Sequence, residues 1–192
     1  MKFDIVLAGV GGQGVLSVSA IIASSAMAEG LRVKQSEVHG MSQRGGSVVA
    51  NLRIADGPIA SDLVPRGTAA LILSMEPLES LRYLEFLAPT GTLITASTPM
   101  GLASGYPPIE DVLGEIRALP SAHVIDAERL ARQAGSARAT NMVIVGAASK
   151  WLPVRLETLE RFIRTVFASK GDKVVDTNLK ALHAGRDAAL TA

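Results

Sequence analysis

Cysteine is missing from this chain of 192 residues, and aromatic residues make up only 4% of it. Without thiols the chain can form no disulfide and can hold no iron–sulfur cluster through its own cysteines. With so few aromatics, aliphatic side chains and alanine must fill most of the core. The two absences favour a protein of a reducing compartment whose core is a buried sheet covered by helices.

The chain also lacks an excess of charge, since 19 basic and 18 acidic residues give a formal net charge of +1. A nucleic-acid-binding surface normally needs a basic excess, so nucleic acid is not an expected partner. No apolar run approaches the roughly 18 residues of a transmembrane helix, and the first residues lack the cleavage pattern of a signal peptide. We expect a cytoplasmic protein without membrane association.

Apolar strand-like runs alternate with helical patterns along the chain. Residues 3–9 predict a buried strand, 15–29 a small-residue helix that ends at Gly30, and 31–38 a second strand. A further strand-like run, "SVVANLRI", follows at once and predicts a β-hairpin excursion after the second strand. The pattern predicts an α/β fold of three layers, with a Rossmann-like, mostly parallel sheet, in a single domain over residues 1–192.

A glycine-rich turn joins the first strand to the first helix. Gly9, Gly11 and Gly14 satisfy GxGxxG, and such turns let a backbone approach a phosphate at a helix N-terminus. An acidic residue near the end of the second strand, Glu37, is suitably spaced for a ribose. Close packing of the helix against the strand is the leading interpretation of these glycines, and a dinucleotide or another anion are the alternatives. The candidate ligand residues are Gly9, Gly11, Gly12, Gln13, Gly14 and Glu37.

The segment between the second and third strands is longer and more polar than a hairpin requires, because most hairpins use two to five loop residues. It offers a histidine that could act as a base and an arginine that could clamp a carboxylate or phosphate. We predict that it contacts a partner chain or lies near a bound coenzyme. The residues concerned are His39, Gly40, Met41, Ser42, Gln43, Arg44, Gly45 and Gly46.

Catalytic and metal-binding patterns are otherwise scarce. His39 and Arg44 have no third catalytic partner nearby, so no catalytic residue is assigned in this chain. No histidine and carboxylate cluster has ligand spacing such as HExxH, so no metal site is predicted. Asn141 precedes an apolar helical run and is interpreted mainly as a helix cap, with a role in a site as the alternative.

Five segments together resemble the gamma-type subunits of the 2-oxoacid:ferredoxin oxidoreductases. They are "GVGGQGV", "EVHGMSQRGGSV", "EPLESLRYL", "TNMVIVGA" and "NLKALHAGRD", and they extend over nearly the whole chain. The second is the most specific, and it is similar to the indolepyruvate branch rather than to the pyruvate branch. Small departures at Ser61 and Ala70 leave room for a different 2-oxoacid.

The resemblance implies a gamma-type domain in a complex of anaerobic metabolism that oxidatively decarboxylates arylpyruvates. Such a complex passes electrons to ferredoxin and the acyl group to coenzyme A, its co-substrate. Thiamine diphosphate, magnesium and [4Fe-4S] clusters would belong to a larger partner subunit, and the isolated chain would be inactive. Two alternatives stay open at this point: a stand-alone NAD(P)- or FAD-binding oxidoreductase, and a non-catalytic α/β binding module.

Overall fold

A six-stranded mixed sheet runs through the computed structural model, which describes residues 1–39, 45–100 and 105–191. The strands lie in the order β2-β3-β1-β4-β5-β6. Their bounds are β1 Lys2–Val10, β2 Arg32–His39, β3 Ser47–Ala55, β4 Ala69–Ser74, β5 Leu87–Ala96 and β6 Ala122–Ile125.

Seven α-helices accompany the sheet in the described part of the chain. They are α1 Val15–Ala28, α2 Pro77–Arg82, α3 Ile109–Arg117, α4 Ala127–Ala134, α5 Thr140–Ala148, α6 Leu156–Phe167 and α7 Asp172–Thr191. Short 3₁₀ turns at Leu84–Phe86, Ala137–Ala139 and Ala168–Lys170 join some of them.

The predicted hairpin excursion is confirmed, and it explains why the sheet is mixed. Strand β3 is antiparallel to both of its neighbours, β2 and β1, whereas β1, β4, β5 and β6 are successively parallel. Five strands therefore point one way and only β3 runs against them. Because β3 lies between β1 and β2, the first two strands of the chain are parallel to each other without being neighbours.

Two apolar cores on opposite faces of the sheet make the three predicted layers. Strand β1 is buried on both sides: Ile5 and Leu7 pack against one core, and Val6, between them, packs against the other. Alternate side chains of a strand point to opposite faces, so the split follows from strand geometry. The larger core joins the sheet to α1, α5, α6 and α7, and the smaller joins it to α3 and the region of α2.

A buried ion pair fixes the segment after β3 to the sheet. Arg53 donates through Nε to Asp4 Oδ1 at 2.8 Å and through a terminal nitrogen to Asp4 Oδ2 at 3.1 Å. Its other terminal nitrogen donates to the carbonyl oxygens of Ser61 and Leu63, both at 3.0 Å. Both charged side chains are buried. The guanidinium therefore satisfies a buried carboxylate and two carbonyls at once.

The leucine spacing after Pro77 suits a longer helix than the one that forms. The leucines between Leu78 and Leu87 recur every three residues, yet α2 ends at Arg82 and Leu87 already begins β5. All of these leucines pack on the smaller core. A 3₁₀ turn also places residues three apart on one side, so the same spacing suits either structure.

Candidate functional site

The carboxyl ends of the parallel strands form the edge of the sheet where the candidate residues gather. The glycine turn leaves β1 after Val10, and α1 begins behind Gly14, which adopts the left-handed conformation with φ 81°. The segments after β4 and β5 leave the sheet at this same edge. Ligands of open α/β sheets bind at this edge in general.

Gln13 holds the glycine turn to the end of β4. Its Oε1 accepts from the Val10 backbone N–H at 2.9 Å, and its Nε2 donates to the Met75 carbonyl at 2.9 Å. The side chain predicted to contact a ligand thus already binds two backbone groups. Its role in a ligand site stays a prediction. Any such role would be indirect, because the side chain holds the turn in shape and does not present a free polar group.

Two of the predicted glycines lie where a larger side chain would not fit. A Cβ on Gly9 would lie 2.8 Å from Val15 Cγ2 and 2.9 Å from Gln13 Oε1. A Cβ on Gly14 would lie 2.8 Å from Asn141 Nδ2. Gly9 therefore serves close packing of strand, turn and helix, whereas Gly14 brings the turn close to α5.

The structure joins the two sequence motifs. Gly11 donates to the Gly46 carbonyl at 2.8 Å, and Gly45 donates to the Gly11 carbonyl at 3.3 Å. The exit of the polar segment is thus paired with the glycine turn. The backbone of His39 ends β2, and the predictions for Gly40, Met41, Ser42, Gln43 and Arg44 lie outside the described residues.

Glu37 does not lie beside the glycine turn. It belongs to β2 and pairs with Ala50 of β3, and the whole of β3 separates it from β1. Two strand spacings amount to roughly 10 Å, whereas a dinucleotide site needs its acidic residue on the strand next to the turn. The geometry therefore does not favour a ribose between Glu37 and the turn.

A cleft of about 280 Å³ opens beside the turn. Its floor is the glycine turn and the end of β4, and its wall is the segment that leads into α5. The lining residues are Gly12, Gln13, Met75, Met100, Ala137, Arg138, Thr140 and Asn141.

Two helix N-termini border this cleft. No side chain caps α1, which begins behind Gly14, or α5, which begins at Thr140. Uncapped N–H groups and the positive dipole end of a helix attract anions. Arg138 is exposed and adds a full positive charge. The cleft is therefore suited to a negatively charged group.

The prediction that Asn141 caps α5 is wrong. The N-cap position belongs to Ala139, and Asn141 lies inside the first turn. Its Oδ1 is buried and has no hydrogen-bond partner among the described residues. A buried amide oxygen without a partner is costly, and a ligand or a water can supply the missing bond. The alternative interpretation, a role in a site, fits better.

Beyond the cleft, a buried acid fixes the segment that returns from β5. The carboxylate of Glu76 is 2% exposed, and it accepts from the Tyr106 hydroxyl at 2.7 Å and from the Glu79 backbone N–H at 2.8 Å. Burial raises the pKa of the Tyr106 hydroxyl, and the bond to Glu76 raises it further. Tyr106 therefore stays a hydrogen-bond donor.

Sequence reasoning missed Arg138, Thr140, Met100 and the contribution of Glu76. The run "SARATN" just before an apolar helix was the available signal for the first two, because small and polar residues at a helix start leave its N–H groups accessible. No sequence pattern predicted that the start of α5 would lie beside the glycine turn.

Within 1–39, 45–100 and 105–191, no three histidine or acidic side chains cluster as metal ligands would. None of the helices in these ranges combines the length and apolarity that a bilayer crossing requires.

Comparison with known proteins places this geometry in a family. The profile of the family described as pyruvate ferredoxin/flavodoxin oxidoreductase matches residues 4–188. The chain belongs to this family. Its members include both separate subunits similar in length to this chain and much longer polypeptides.

Relatives of full length carry the name indolepyruvate oxidoreductase subunit IorB. The protein of Archaeoglobus fulgidus is 41% identical over 201 residues, covering 100% of this chain and 97% of that protein. The protein of Pyrococcus horikoshii is 38% identical over 199 residues, covering 98% of this chain and 96% of its own length.

A more distant relative is longer. Ketoisovalerate oxidoreductase subunit VorA of Methanothermobacter thermautotrophicus is 29% identical over 183 residues, covering 94% of this chain but only 35% of its own length.

Solved structures of this family share the fold. Pyruvate oxidoreductase subunit PORC of Thermotoga maritima superposes with a TM-score of 0.76 at 24% identity, covering 97% of this chain and 96% of its own. The 2-oxoglutarate:ferredoxin oxidoreductase of Magnetococcus marinus, solved with 2-oxoglutarate, coenzyme A and succinyl-CoA bound, gives a TM-score of 0.78 at 21% identity. The match covers 100% of this chain and 31% of that one.

Proposed function

We propose that this chain is the small, non-redox subunit of an indolepyruvate:ferredoxin oxidoreductase. The observation that carries the proposal is the 41% identity to an indolepyruvate oxidoreductase subunit along the whole of both chains. The complex would decarboxylate the oxoacid, pass the electrons to ferredoxin and release the acyl group on coenzyme A.

The redox cofactors belong to a larger subunit in this proposal. The chain has no cysteine, so it supplies no thiolate to a [4Fe-4S] cluster. Its described residues hold no acidic cluster suited to the magnesium that accompanies thiamine diphosphate. What this chain can supply is shape, positive charge and hydrogen bonds.

Chain length in the relatives supports a tight association with that larger subunit. The part similar to this chain is about a third of VorA and of the 2-oxoglutarate enzyme, 35% and 31% respectively. In those proteins the same fold is covalently joined to further sequence. A separate chain with this fold would reach an equivalent position by docking.

The cleft beside the glycine turn is the proposed place for the phosphate groups of coenzyme A. Two helix N-termini without side-chain caps and Arg138 supply positive potential there. The unpartnered Asn141 Oδ1 is an acceptor, so it would bind a donor group of the coenzyme and not a phosphate oxygen. Phosphates are the anions that such helix ends commonly hold. The polar segment 39–46 is the proposed docking element, because its exit is bonded to the same turn.

Reconstitution tests the function. The chain and its larger subunit, purified separately under anaerobic conditions, are assayed alone and together for ferredoxin reduction with indolepyruvate and coenzyme A. We expect activity only from the mixture, with iron and thiamine diphosphate recovered from the larger subunit. Turnover by this chain alone, or equal turnover by the larger subunit without it, contradicts the proposal.

An arginine variant tests the cleft. In the complex, Arg138→Ala should raise the KM for coenzyme A about tenfold and leave kcat unchanged, because the cation binds the phosphates in ground and transition states alike. Arg132→Ala is the matched control, since Arg132 is an exposed arginine of α4 paired with Glu128. An unchanged KM in Arg138→Ala removes coenzyme A from this cleft.

A further inference from the structure

Glu79 is a buried carboxylate that makes one bond within its own helix and one to the edge of the sheet. It is 6% exposed and lies in the first turn of α2. Its Oε2 accepts from the Ser47 hydroxyl at 2.5 Å, and its Oε1 accepts from Arg82 Nε at 2.9 Å. The cap of α2 is a different acid, Glu76.

Ser47 is placed so that its hydroxyl controls the junction of the two motifs. It is the first residue of β3 and pairs with Val10, the last residue of β1. The two residues before it, Gly45 and Gly46, exchange backbone hydrogen bonds with Gly11 of the glycine turn. Glycines restrain a backbone weakly, so a side-chain anchor at the next residue fixes their position.

The burial of Glu79 needs an explanation beyond helix stability. Removing a carboxylate from water is costly and is offset only by close hydrogen bonds. An exposed acid at this position would favour the positive end of α2 equally well. The bond gained by burial is the one to Ser47, which crosses from the helix layer to the sheet edge.

We propose that Glu79 is a positioning residue for docking of the larger subunit. Acting through the Ser47 hydroxyl, it fixes Gly45–Ser47 against Gly11 and so sets how the exit of the polar segment meets the glycine turn. The proposal rests on the proposed function, since it assumes that this edge of the sheet receives a partner chain.

A double-mutant cycle on the reconstituted complex tests it. The variants are Ser47→Ala, Glu79→Leu and both together, and the dissociation constant for the larger subunit is measured below the unfolding temperature of each. We expect each single variant to bind about tenfold more weakly, because each loses the hydrogen bond between Ser47 and Glu79. Ser47→Ala also loses a contact with the Tyr83 hydroxyl at 3.3 Å, and Glu79→Leu also loses the bond from Arg82. The double variant should bind no more weakly than the singles.

Two further variants separate positioning from general stability. Ser47→Thr keeps the hydroxyl, so its dissociation constant should equal that of the unchanged chain and not that of Ser47→Ala. Ser80→Ala removes a serine hydroxyl of α2 that donates to the Pro77 carbonyl within the same helix, and it should leave the dissociation constant unchanged. Circular dichroism of the same samples gives the folded fraction, so the constants refer to folded chain only.

The outcomes distinguish this inference from the proposed function. If the unchanged chain does not bind the larger subunit, the proposed function fails. If it binds and Ser47→Ala binds equally well, or if the two single effects add, Glu79 does not act through Ser47 and the inference is overturned. Should Glu79→Leu not fold, Glu79→Met replaces it in the same cycle, with the same expected result.

Discussion

Single side chains explain why the glycine turn tolerates little change. Gly14 and Gly30 share the same left-handed φ of 81°, but only Gly14 has a neighbour in the space that a Cβ would occupy. That neighbour is Asn141 Nδ2, at 2.8 Å, whereas nothing lies within 4 Å at Gly30. The two positions therefore separate backbone strain from crowding.

We predict that Gly30→Ala lowers the free energy of unfolding by about 1 kcal/mol, the cost of the left-handed backbone alone. Gly14→Ala should lower it by about 2 to 4 kcal/mol, because overpacking adds to that strain. Urea denaturation measures both. In the background of Asn141→Ala the excess cost at Gly14 should disappear; equal costs at the two glycines without that change would contradict the crowding argument.

The pH dependence of stability should carry a contribution from His123. Burial lowers the pKa of this histidine below its ordinary value of 6.5, and the charge of Lys150 lowers it further. Its Nδ1 is buried without a partner among the described residues, and its ring packs on Trp151 with centroids 4.8 Å apart. Because the folded pKa is the lower one, the unfolded chain takes up the proton first as the pH falls.

Stability should therefore decline as the pH falls below about 6.5, the ordinary histidine pKa, until the folded histidine also protonates. In His123→Gln this slope should be shallower by about 0.5 kcal/mol per pH unit, a modest value because water near the ring screens the charge. Thermal unfolding from pH 8 to pH 5 provides the measurement. Parallel curves for the two proteins over that range would contradict the prediction.

Whole helices meet at distances that only glycine permits. A Cβ on Gly146 of α5 would lie 1.9 Å from the Leu182 carbonyl oxygen of α7, and a Cβ on Gly185 of α7 would lie 1.9 Å from the Val143 carbonyl oxygen of α5. Each helix thus has a glycine where the backbone of the other helix comes closest. The pair brings α5 and α7 into close backbone contact, and α5 carries Asn141 at the cleft.

We predict that Gly146→Ala and Gly185→Ala each cost at least about 3 kcal/mol of folding stability, because a backbone oxygen cannot rotate away from the added methyl group. Alanine is otherwise the better helix former. The control is Gly114→Ala in α3, where the space is open; it should stabilise the protein by about 0.5 to 1 kcal/mol. A gain of stability at Gly146 would show that the helices are not in contact there.

The positions of helices and strands along the chain were easier to predict from the sequence than the order of the strands in the sheet. The predicted strands at 3–9 and 31–38 correspond to β1 and β2. Gly30 ends α1 as predicted, with the bonds of a Schellman motif from Gly30 to Met27 and from Leu31 to Ala26. Periodicity reports which face of an element is buried, not which strand lies beside it. The insertion of β3 between β1 and β2 was therefore not predicted, and Glu37 was placed too near the turn.

The cleft shows the same limit. The glycine turn was recognised because its residues are consecutive, whereas Arg138 and Asn141 reach it from the far side of the chain through the packing of α5. The local sequence around Asn141 is compatible with a helix cap and with a site residue. Only its tertiary position, next to Gly14, distinguishes these two roles.

At the scale of the whole molecule, the polar segment 39–46 is the proposed docking element for the larger subunit. Its exit is bonded to the glycine turn, and in the proposed complex the larger subunit covers this surface. If Arg44 pairs with a carboxylate of the larger subunit, its loss leaves that carboxylate buried and unpaired. Truncating one partner of such a pair costs more than the pair contributes.

Arg44→Ala should therefore weaken association with the larger subunit by about 2 to 5 kcal/mol, mainly through faster dissociation. Surface plasmon resonance with the larger subunit immobilised measures both rates. Arg66→Ala is the matched control, because Arg66 precedes β4 at the opposite edge of the sheet and pairs with the exposed Glu85 at 3.1 Å. Unchanged dissociation of Arg44→Ala, or an equal effect of Arg66→Ala, would place the docking surface elsewhere on the molecule.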